Sequence, residues 1–380
     1  MAKSTTNLLA VGDLILDKPR AESFFEFSAP TLRSGDIVVG QGEVMFTSRG
    51  VNTYAEVICN PPCEPANMSA IPGAGFNVIT LAANHAWDSG APGIEDTLNG
   101  LREMGIAVAG AGMNIEEARK PAIIERNGTK FGFLNYNCVG PRGTWASPDK
   151  PGCAYVQIIS HYELEMSNPG GPPTCYTFAE PRSLRAMEDD IRNLRPLCDV
   201  LVVVLHKGTI FLADRLEMYE QVVSHAAIDA GANLILGHHS HIMRGVEWYK
   251  GSPIFHGLGH FVVAMRSLAV DGKASDRDIH DFRASLGKRF GQEFDDAGDT
   301  VSIFPPDSNK TMIARCAVED GHISRVSFFP CLINKQGQPE VLKRDERGQQ
   351  VFDYVDRISR KAGLNASYEW DGDEVVVRKL

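Results

Sequence analysis

A layered α/β architecture is what this 380-residue sequence predicts, and three observations predict it. Short apolar runs alternate with longer segments of helical periodicity, the pattern of helices laid over a sheet. Some runs are apolar throughout, as in Leu201-Val202-Val203-Val204-Leu205, and strands buried on both faces read this way. The runs also end abruptly in polar residues. That one ends in His206, and Asn233-Leu234-Ile235-Leu236-Gly237 ends in His238-His239-Ser240-His241. α/β folds bind ligands at such carboxyl ends of strands.

In chain order, strands are expected at residues 8–11, 37–39, 78–81, 106–109, 122–125 and 131–136, each a compact apolar run. Further strands are expected at 200–205, 233–236, 254–256, 312–318 and 323–329. The later ones follow one another more directly, which implies a mixed or second sheet. Helices are expected at 93–104, 181–193, 216–230 and 348–362. In the last, Val351, Phe352, Val355 and Ile358 form one apolar face at helical spacing, and Gly363 supplies a stop. Two segments lack periodicity: 141–174, rich in Gly, Pro and polar residues, and 271–310, which is charged. Irregular insertions of this length serve as lids or binding loops in compact enzymes. The expected organisation is one domain over 1–380, with these two insertions and a C-terminal extension at about 335–380.

Composition narrows the function classes. With 43% hydrophobic and 23% charged residues the chain is ordinary globular material, and its net charge is −10. That acidity, with no basic stripe to offset it, excludes nucleic acid and anionic membrane as expected partners. No stretch approaches the roughly 18 apolar residues of a spanning helix. The polar Met1–Thr6 stretch runs directly into the first short strand without a signal-peptide apolar region, so a soluble, cytoplasmic protein is expected. The eight cysteines read as reduced, mostly buried residues; Cys59 and Cys63, with two prolines between them, make a poor zinc knuckle.

Five strand-end segments carry metal-competent side chains: Asp13, Glu43, Asn84-His85 with Asp88 shortly after, His206, and the 238–241 cluster. Carboxylate, carboxamide and imidazole together suit Mn²⁺, Fe²⁺ or Zn²⁺. If the chain at His239-Ser240-His241 is extended, both imidazoles leave the same face and serve one centre. Taken singly, Asp13 reads as a turn cap, Glu43 as a solvated loop carboxylate and His206 as a hydrogen-bonded strand end. Three imidazoles in four residues resist such a reading. His225 reads as packing or surface, and His256 as structural.

Over roughly residues 7–265 the chain resembles the CapA (poly-γ-glutamate capsule biosynthesis) family, a branch of the calcineurin-like metallophosphatase superfamily. The resemblance rests on Gly12-Asp13, Gly40-Gln41-Gly42-Glu43, Asn84-His85 with Asp88, Gly110-Ala111-Gly112 and His206-Lys207-Gly208. It continues through Asp229-Ala230-Gly231, His239-Ser240-His241, Pro253-Ile254-Phe255 and Leu258-Gly259. It implies a four-layer α/β/β/α sandwich of metallo-dependent phosphatase type holding one or two divalent ions. Asp13 and His241 would hold one ion, Glu43 would bridge, and Asn84, His206 and His239 would hold the second. His85 would act as general acid or electrostatic clamp, oriented by Asp88, with His238 behind the ligands. The sequence departs from the pattern in four places. Leu14-Ile15 follow Asp13 where classical metallophosphatases have Asp-x-His, a lack that CapA-like proteins share. Gln41-Gly42 stand where Asn-Leu is usual before Glu43. Lys207 stands where Trp is frequent and is expected to bind a substrate carboxylate or phosphate. His260 stands where Asn is common, as a further acid/base. The expected function is a metal-dependent hydrolase of an amide or phosphoester, acting on a small or peptide-like substrate. Two alternatives are an epimerase or isomerase using Asp13 and His260 as opposed acid and base, and a non-catalytic binding protein.

Overall fold

The structure is a computed structural model describing residues 5–49, 61–164, 173–263 and 304–380, with Ala284 and Lys288 as isolated positions. Two sheets stack face to face. The main path of the larger, ten-stranded sheet runs Ala366–Asp371, Glu374–Lys379, His322–Ile333, Lys310–Glu319, Thr6–Ile15, Ile37–Gly42, Val78–Thr80 and Ala107–Ala109. His260–Val263 pairs beside Thr6–Ile15, and Pro339–Val341 beside His322–Ile333. The six-stranded sheet runs Met243–Tyr249, Ser252–Leu258, Leu234–His238, Val200–His206, Thr129–Asn137 and Ala122–Arg126.

Strand alternation explains the layers. Leu8, Ala10, Ile37, Val39 and Val78 point from the larger sheet to meet Phe131, Phe133, Val202, Val204, Leu234 and Leu236 of the smaller one in a single core. The intervening residues Leu9, Val11, Val38 and Ile79 point outward onto Leu32, Ile71, Ile94, Leu98 and Leu101 of the covering helices. On the far side Leu134, Leu201, Val203, Leu205 and Ile235 meet Met187, Ile191, Leu194, Val223 and Ala227 of helices Pro181–Leu194 and Met218–Ala230. The result is an α/β/β/α sandwich. It accounts for the uninterrupted apolar run 201–205, since both faces of that strand are covered.

The expected strands are present with shifted bounds: several are longer, as Thr6–Ile15 for 8–11 and Ser252–Leu258 for 254–256, while Val78–Thr80 and Ala107–Ala109 are shorter than 78–81 and 106–109. Helix 216–230 begins at Met218, where Glu217 and Glu220 form a capping box, and helix 348–362 begins at Glu346 behind the Asp345 cap. Met243–Tyr249, His260–Val263, Ala366–Asp371 and Glu374–Lys379 are strands that periodicity did not reveal. The described part of 141–174 contains an ordered ribbon, Ile158–Glu163 against Thr174–Ala179. Of 271–310, everything but Ala284, Lys288 and 304–310 lies outside the described residues. Residues 366–379 form a hairpin that joins the larger sheet at Ser327↔Val376, and helix Glu346–Lys361 packs Val351, Tyr354, Val355 and Ile358 into the core between the sheets.

Seven cysteines among the described residues are free thiols, with Cys175 exposed and the other six buried; Cys59 lies outside them. Among the described residues no helix is long and apolar enough to cross a membrane.

What positions the site is the parallel run of neighbouring strands. Thr6–Ile15, Ile37–Gly42 and Val78–Thr80 run parallel, as do Thr129–Asn137, Val200–His206, Leu234–His238 and Ser252–Leu258, so their carboxyl ends gather. Gly12 makes one approach feasible: a Cβ there would lie 2.2 Å from the Gly259 carbonyl oxygen. Its absence lets the 259–263 segment come alongside, so that the Asp13 N–H donates to Gly259 O at 3.2 Å.

Candidate metal centre

Asp13 and Glu43 each sit at a strand end and are fully buried. Carboxylate oxygens of both and a ring nitrogen of His241 lie within 4.8 Å of one another. His241 Nε2 is 3.3 Å from Glu43 Oε1 and its Nδ1 is 3.7 Å from Asp13 Oδ2. His238 Nδ1 is 3.3 Å from Asp13 Oδ1, and the His239 backbone N–H donates to Asp13 Oδ2 at 3.1 Å. The histidine contacts are close, but most are not aligned as hydrogen bonds. Among the described residues, Asp13 Oδ1, both Glu43 oxygens, both nitrogens of His238 and Nδ1 of His241 have no hydrogen-bond partner.

The imidazoles form a row. Ring centroids are 4.8 Å apart for His206–His239, 6.1 Å for His239–His241 and 6.1 Å for His241–His260. His206 Nε2 and Asn84 Oδ1 are 2.7 Å apart. His85 Nδ1 lies 2.6 Å from Asp88 Oδ2, which fixes the ring and leaves Nε2 free to act. The structure thus gathers Asp13, Glu43, His238, His239, His241 and His260 in one place, continuous through His239 with His206 and Asn84.

The electrostatics suit a cation at this place. Burial, with the neighbouring imidazoles, holds His206 well below its usual value and His239 down at about 3. His260 is held well below by burial and His241. Burial also pushes His241 and His85 downward, but the acidic neighbours outweigh it: Glu43 and Asp13 raise His241, and Asp88 and Glu43 raise His85. Neutral imidazoles keep a lone pair for a metal. Among the described residues no lysine or arginine forms an ion pair with Asp13 or Glu43. Buried carboxylates with imidazoles as their only charged neighbours are costly, so the donor set fits a divalent ion: carboxylate oxygens and imidazole nitrogens at strand tips.

The local chain differs from the extended H-x-H step. The strand ends at His238, and His239 and His241 take φ of 86° and 51°. The left-handed turn packs its N–H onto Asp13 and aims both rings inward; such strain in non-glycine residues concentrates at functional sites. Lys207 is not brought to the cluster. It is fully buried, with Nζ 3.2 Å from Glu220 Oε2 and 2.9 Å from His256 Nδ1, because strand alternation turns it away from the face His206 occupies. Asp13 and His260 are register partners on adjacent parallel strands, so they stand side by side and do not oppose each other across a cleft.

Aromatic walls were missed. Phe304 stacks on His241 at 4.8 Å and lies 5.1 Å from His260, and Phe211 lies 6.4 Å from His241. Phe304 follows a charged aperiodic stretch, so no sequence signal pointed to it. Phe211 sits five residues past His206, the one positional hint available.

The sequence model of the family described as bacterial capsule synthesis protein PGA_cap matches residues 7–265, well over half of the chain. The chain belongs to this family. Every residue of the PGA_cap cluster from Asp13 to His260 falls within the match, while Phe304 and the C-terminal helix lie beyond it. PGA biosynthesis protein CapA of Bacillus subtilis is 26% identical over 261 residues, covering 66% of this chain and 62% of that protein. A probable polyglutamine synthesis accessory protein of Mycobacterium tuberculosis is 28% identical over 231 residues, covering 60% and 55%. The chain thus spans less than two thirds of the length of either relative. Among solved structures, a putative 5'-nucleotidase from Staphylococcus aureus superposes with TM-score 0.44 at 11% identity, over 93% of this chain and 59% of that one. A calcineurin-like phosphoesterase from Bacillus subtilis gives TM-score 0.34 at 11% identity, over 94% and 99%.

Proposed function

We propose that this PGA_cap member is a divalent-metal-dependent hydrolase of an amide or phosphoester. One observation carries the reading: Asp13 Oδ1 and both Glu43 oxygens are buried beside His238 and His241, and among the described residues they have neither a lysine or arginine partner nor a hydrogen bond. One or two ions held by Asp13, Glu43, His241, His239, His206 and Asn84 would neutralise that charge. When bound, an ion of the Mn²⁺, Zn²⁺ or Fe²⁺ kind supplies Lewis acidity to the carbonyl or phosphoryl group and lowers the pKa of water. The remaining work falls to this chain's own residues. His85, gripped at Nδ1 by Asp88, presents Nε2 to hold or deliver a proton at the leaving group. The turn at 239–241 and the aromatic rings of Phe211 and Phe304 fix the imidazole row and exclude water from its far side. The side-by-side placement of Asp13 and His260 gives the two-base epimerase no support.

The relatives' names concern PGA and polyglutamine synthesis, so a γ-glutamyl amide is the first amide to try. The test strips the protein with chelator, restores Mn²⁺ or Zn²⁺, and measures bound metal alongside turnover of γ-glutamyl-p-nitroanilide and bis-p-nitrophenyl phosphate. One or two ions per chain and metal-dependent turnover, lost in His239→Ala, are expected. Turnover without metal, or no metal uptake, overturns the reading; uptake without turnover of either probe returns it to a binding protein.

A further inference from the structure

We propose that the cavity lined by Cys138, Arg142, Trp145, Gly208 and Arg215 is the substrate pocket, and that Arg142 and Arg215 in it select substrates carrying a carboxylate away from the bond that is cut. This rests on the hydrolase reading for the bond, but not for the pocket.

The cavity has a volume of about 520 Å³, within the usual range for small-ligand sites. Its walls are the segment 138–145, the ribbon around 158–162 and 175–177, and the turn 208–219. Two of these walls are fastened to segments of the metal centre, and the ribbon is joined to the third through the Tyr219 N–H, which donates to the Thr177 hydroxyl at 3.3 Å. The Cys138 N–H donates to His206 O at 2.8 Å, and Gly208 is two residues past His206. The Phe211 N–H donates to Ser240 O at 2.9 Å. On the other side, Lys150 donates to the carbonyls of Gly143, Trp145 and Pro151 and sits 3.6 Å over the ring of Trp87, two residues from His85. Lys150 therefore ties the wall bearing Arg142 to the turn that carries the proposed acid.

The polar content of the cavity points to an anion. Arg142 is exposed and makes no ion pair among the described residues; its guanidinium lies 5.7 Å from the centroid of Trp145. Trp145 stacks on Tyr155 at 4.3 Å, and its indole N–H is buried without an acceptor. Arg215 donates to Glu217 at 2.8 Å, yet Glu217 is shared with the Thr209 hydroxyl and with the cap of helix Met218–Ala230. Among the described residues of the cavity, two guanidiniums against one occupied carboxylate leave a positive balance, in a protein whose net charge is −10. Guanidinium forks recognise carboxylates in bidentate fashion, and the faces of Trp145 and Tyr162 suit an aliphatic stem.

The experiment titrates the whole chain, in chelator, with glutarate and with neutral glutaramide, reading heat and tryptophan emission. Glutarate is expected to bind at least tenfold more tightly than glutaramide. Arg142→Gln and Arg215→Gln each weaken glutarate by roughly tenfold, the scale of one lost charge-assisted contact, and leave glutaramide unchanged. Both side chains are exposed, and a circular-dichroism melt checks that each variant folds. Equal binding of the two probes, no binding of glutarate, or glutarate binding indifferent to both substitutions overturns the proposal. Mn²⁺ uptake is measured separately on the unsubstituted chain. Glutarate selectivity without Mn²⁺ uptake supports the pocket and overturns the hydrolase reading.

Discussion

Glu43 is the residue hardest to explain by packing. Its carboxylate is fully buried, its nearest charged neighbour is the His241 ring at 3.3 Å, and neither oxygen has a hydrogen bond. Leaving such a group unsatisfied costs about 1–3 kcal/mol or more. A residue kept under that penalty stabilises something other than the empty fold. Glu43→Gln should therefore melt at a higher temperature than the unsubstituted protein in chelator, by the equivalent of about 1–3 kcal/mol. The order should reverse in Mn²⁺. A ligand at a hundredfold excess over its Kd adds about 2.7 kcal/mol to the native protein, and the variant should gain little of it. Thermal melts with and without metal decide the matter, and identical curves for both proteins would refute it. Taken singly Glu43 reads as a solvated loop carboxylate, and only its place in the set of five strand-end segments and in the family resemblance marked it. Lys207 was expected at the site because it stands where the resembled family often has Trp, but a step of one residue past His206 reverses the face.

Elements, more than single residues, decide how the cluster is held. Helix Met218–Ala230 sends Glu220 inward to meet Arg244 at 2.6 Å and Lys207 at 3.2 Å, all three fully buried. Arg244 in turn donates to the Thr209 carbonyl at 2.7 Å, so the helix, the strand Met243–Tyr249 and the turn after His206 are locked together. Burial alone would push the Glu220 carboxyl up, but Arg244 and Lys207 outweigh it and hold the group down at about 2 against an ordinary 4.5. A depressed carboxyl contributes stability that is complete above its unfolded value and lost as pH falls through its folded one. The contribution should therefore be present above about pH 4.5 and disappear between there and about pH 2. Glu220→Gln strands two buried cations and should cost about 3–5 kcal/mol at neutral pH. It should also flatten the loss of stability across the acid window. Urea melts at a series of pH values test both, and a variant as stable as its parent at pH 7 would contradict the account. None of this network was legible beforehand, because its members come from three elements and carry no spacing signature. The H-x-H turn was legible in composition but not in conformation. Extended geometry was the simple reading, and only contact with Asp13 explains the left-handed backbone at His239 and His241.

At the scale of the whole molecule, the layered fold was legible because burial on both faces writes itself into runs such as 201–205. The closing of the sandwich was not. The family match stops at residue 265, yet Lys310–Glu319 and His322–Ile333 continue the larger sheet directly beside the strand that bears Asp13. The hairpin 366–379 has mixed exposed and buried residues that hide its strands from a search for apolar runs. Helix Glu346–Lys361 then inserts Val351, Tyr354, Val355 and Ile358 against Val246, Phe328 and Val375. Each such side chain contributes roughly 1.5–3 kcal/mol when buried, and whole domains are stable by only about 5–15 kcal/mol. A chain ending at residue 341 should accordingly lose cooperative unfolding, although it keeps the whole family match and every metal-competent residue of the cluster. Its uncovered core and the unpaired edge at 327–328 should drive aggregation. Circular-dichroism melts and size-exclusion profiles of the truncated and intact proteins give the answer. A truncated chain that is monodisperse and melts at the parental temperature would show that the core between the sheets closes without its C-terminal helix.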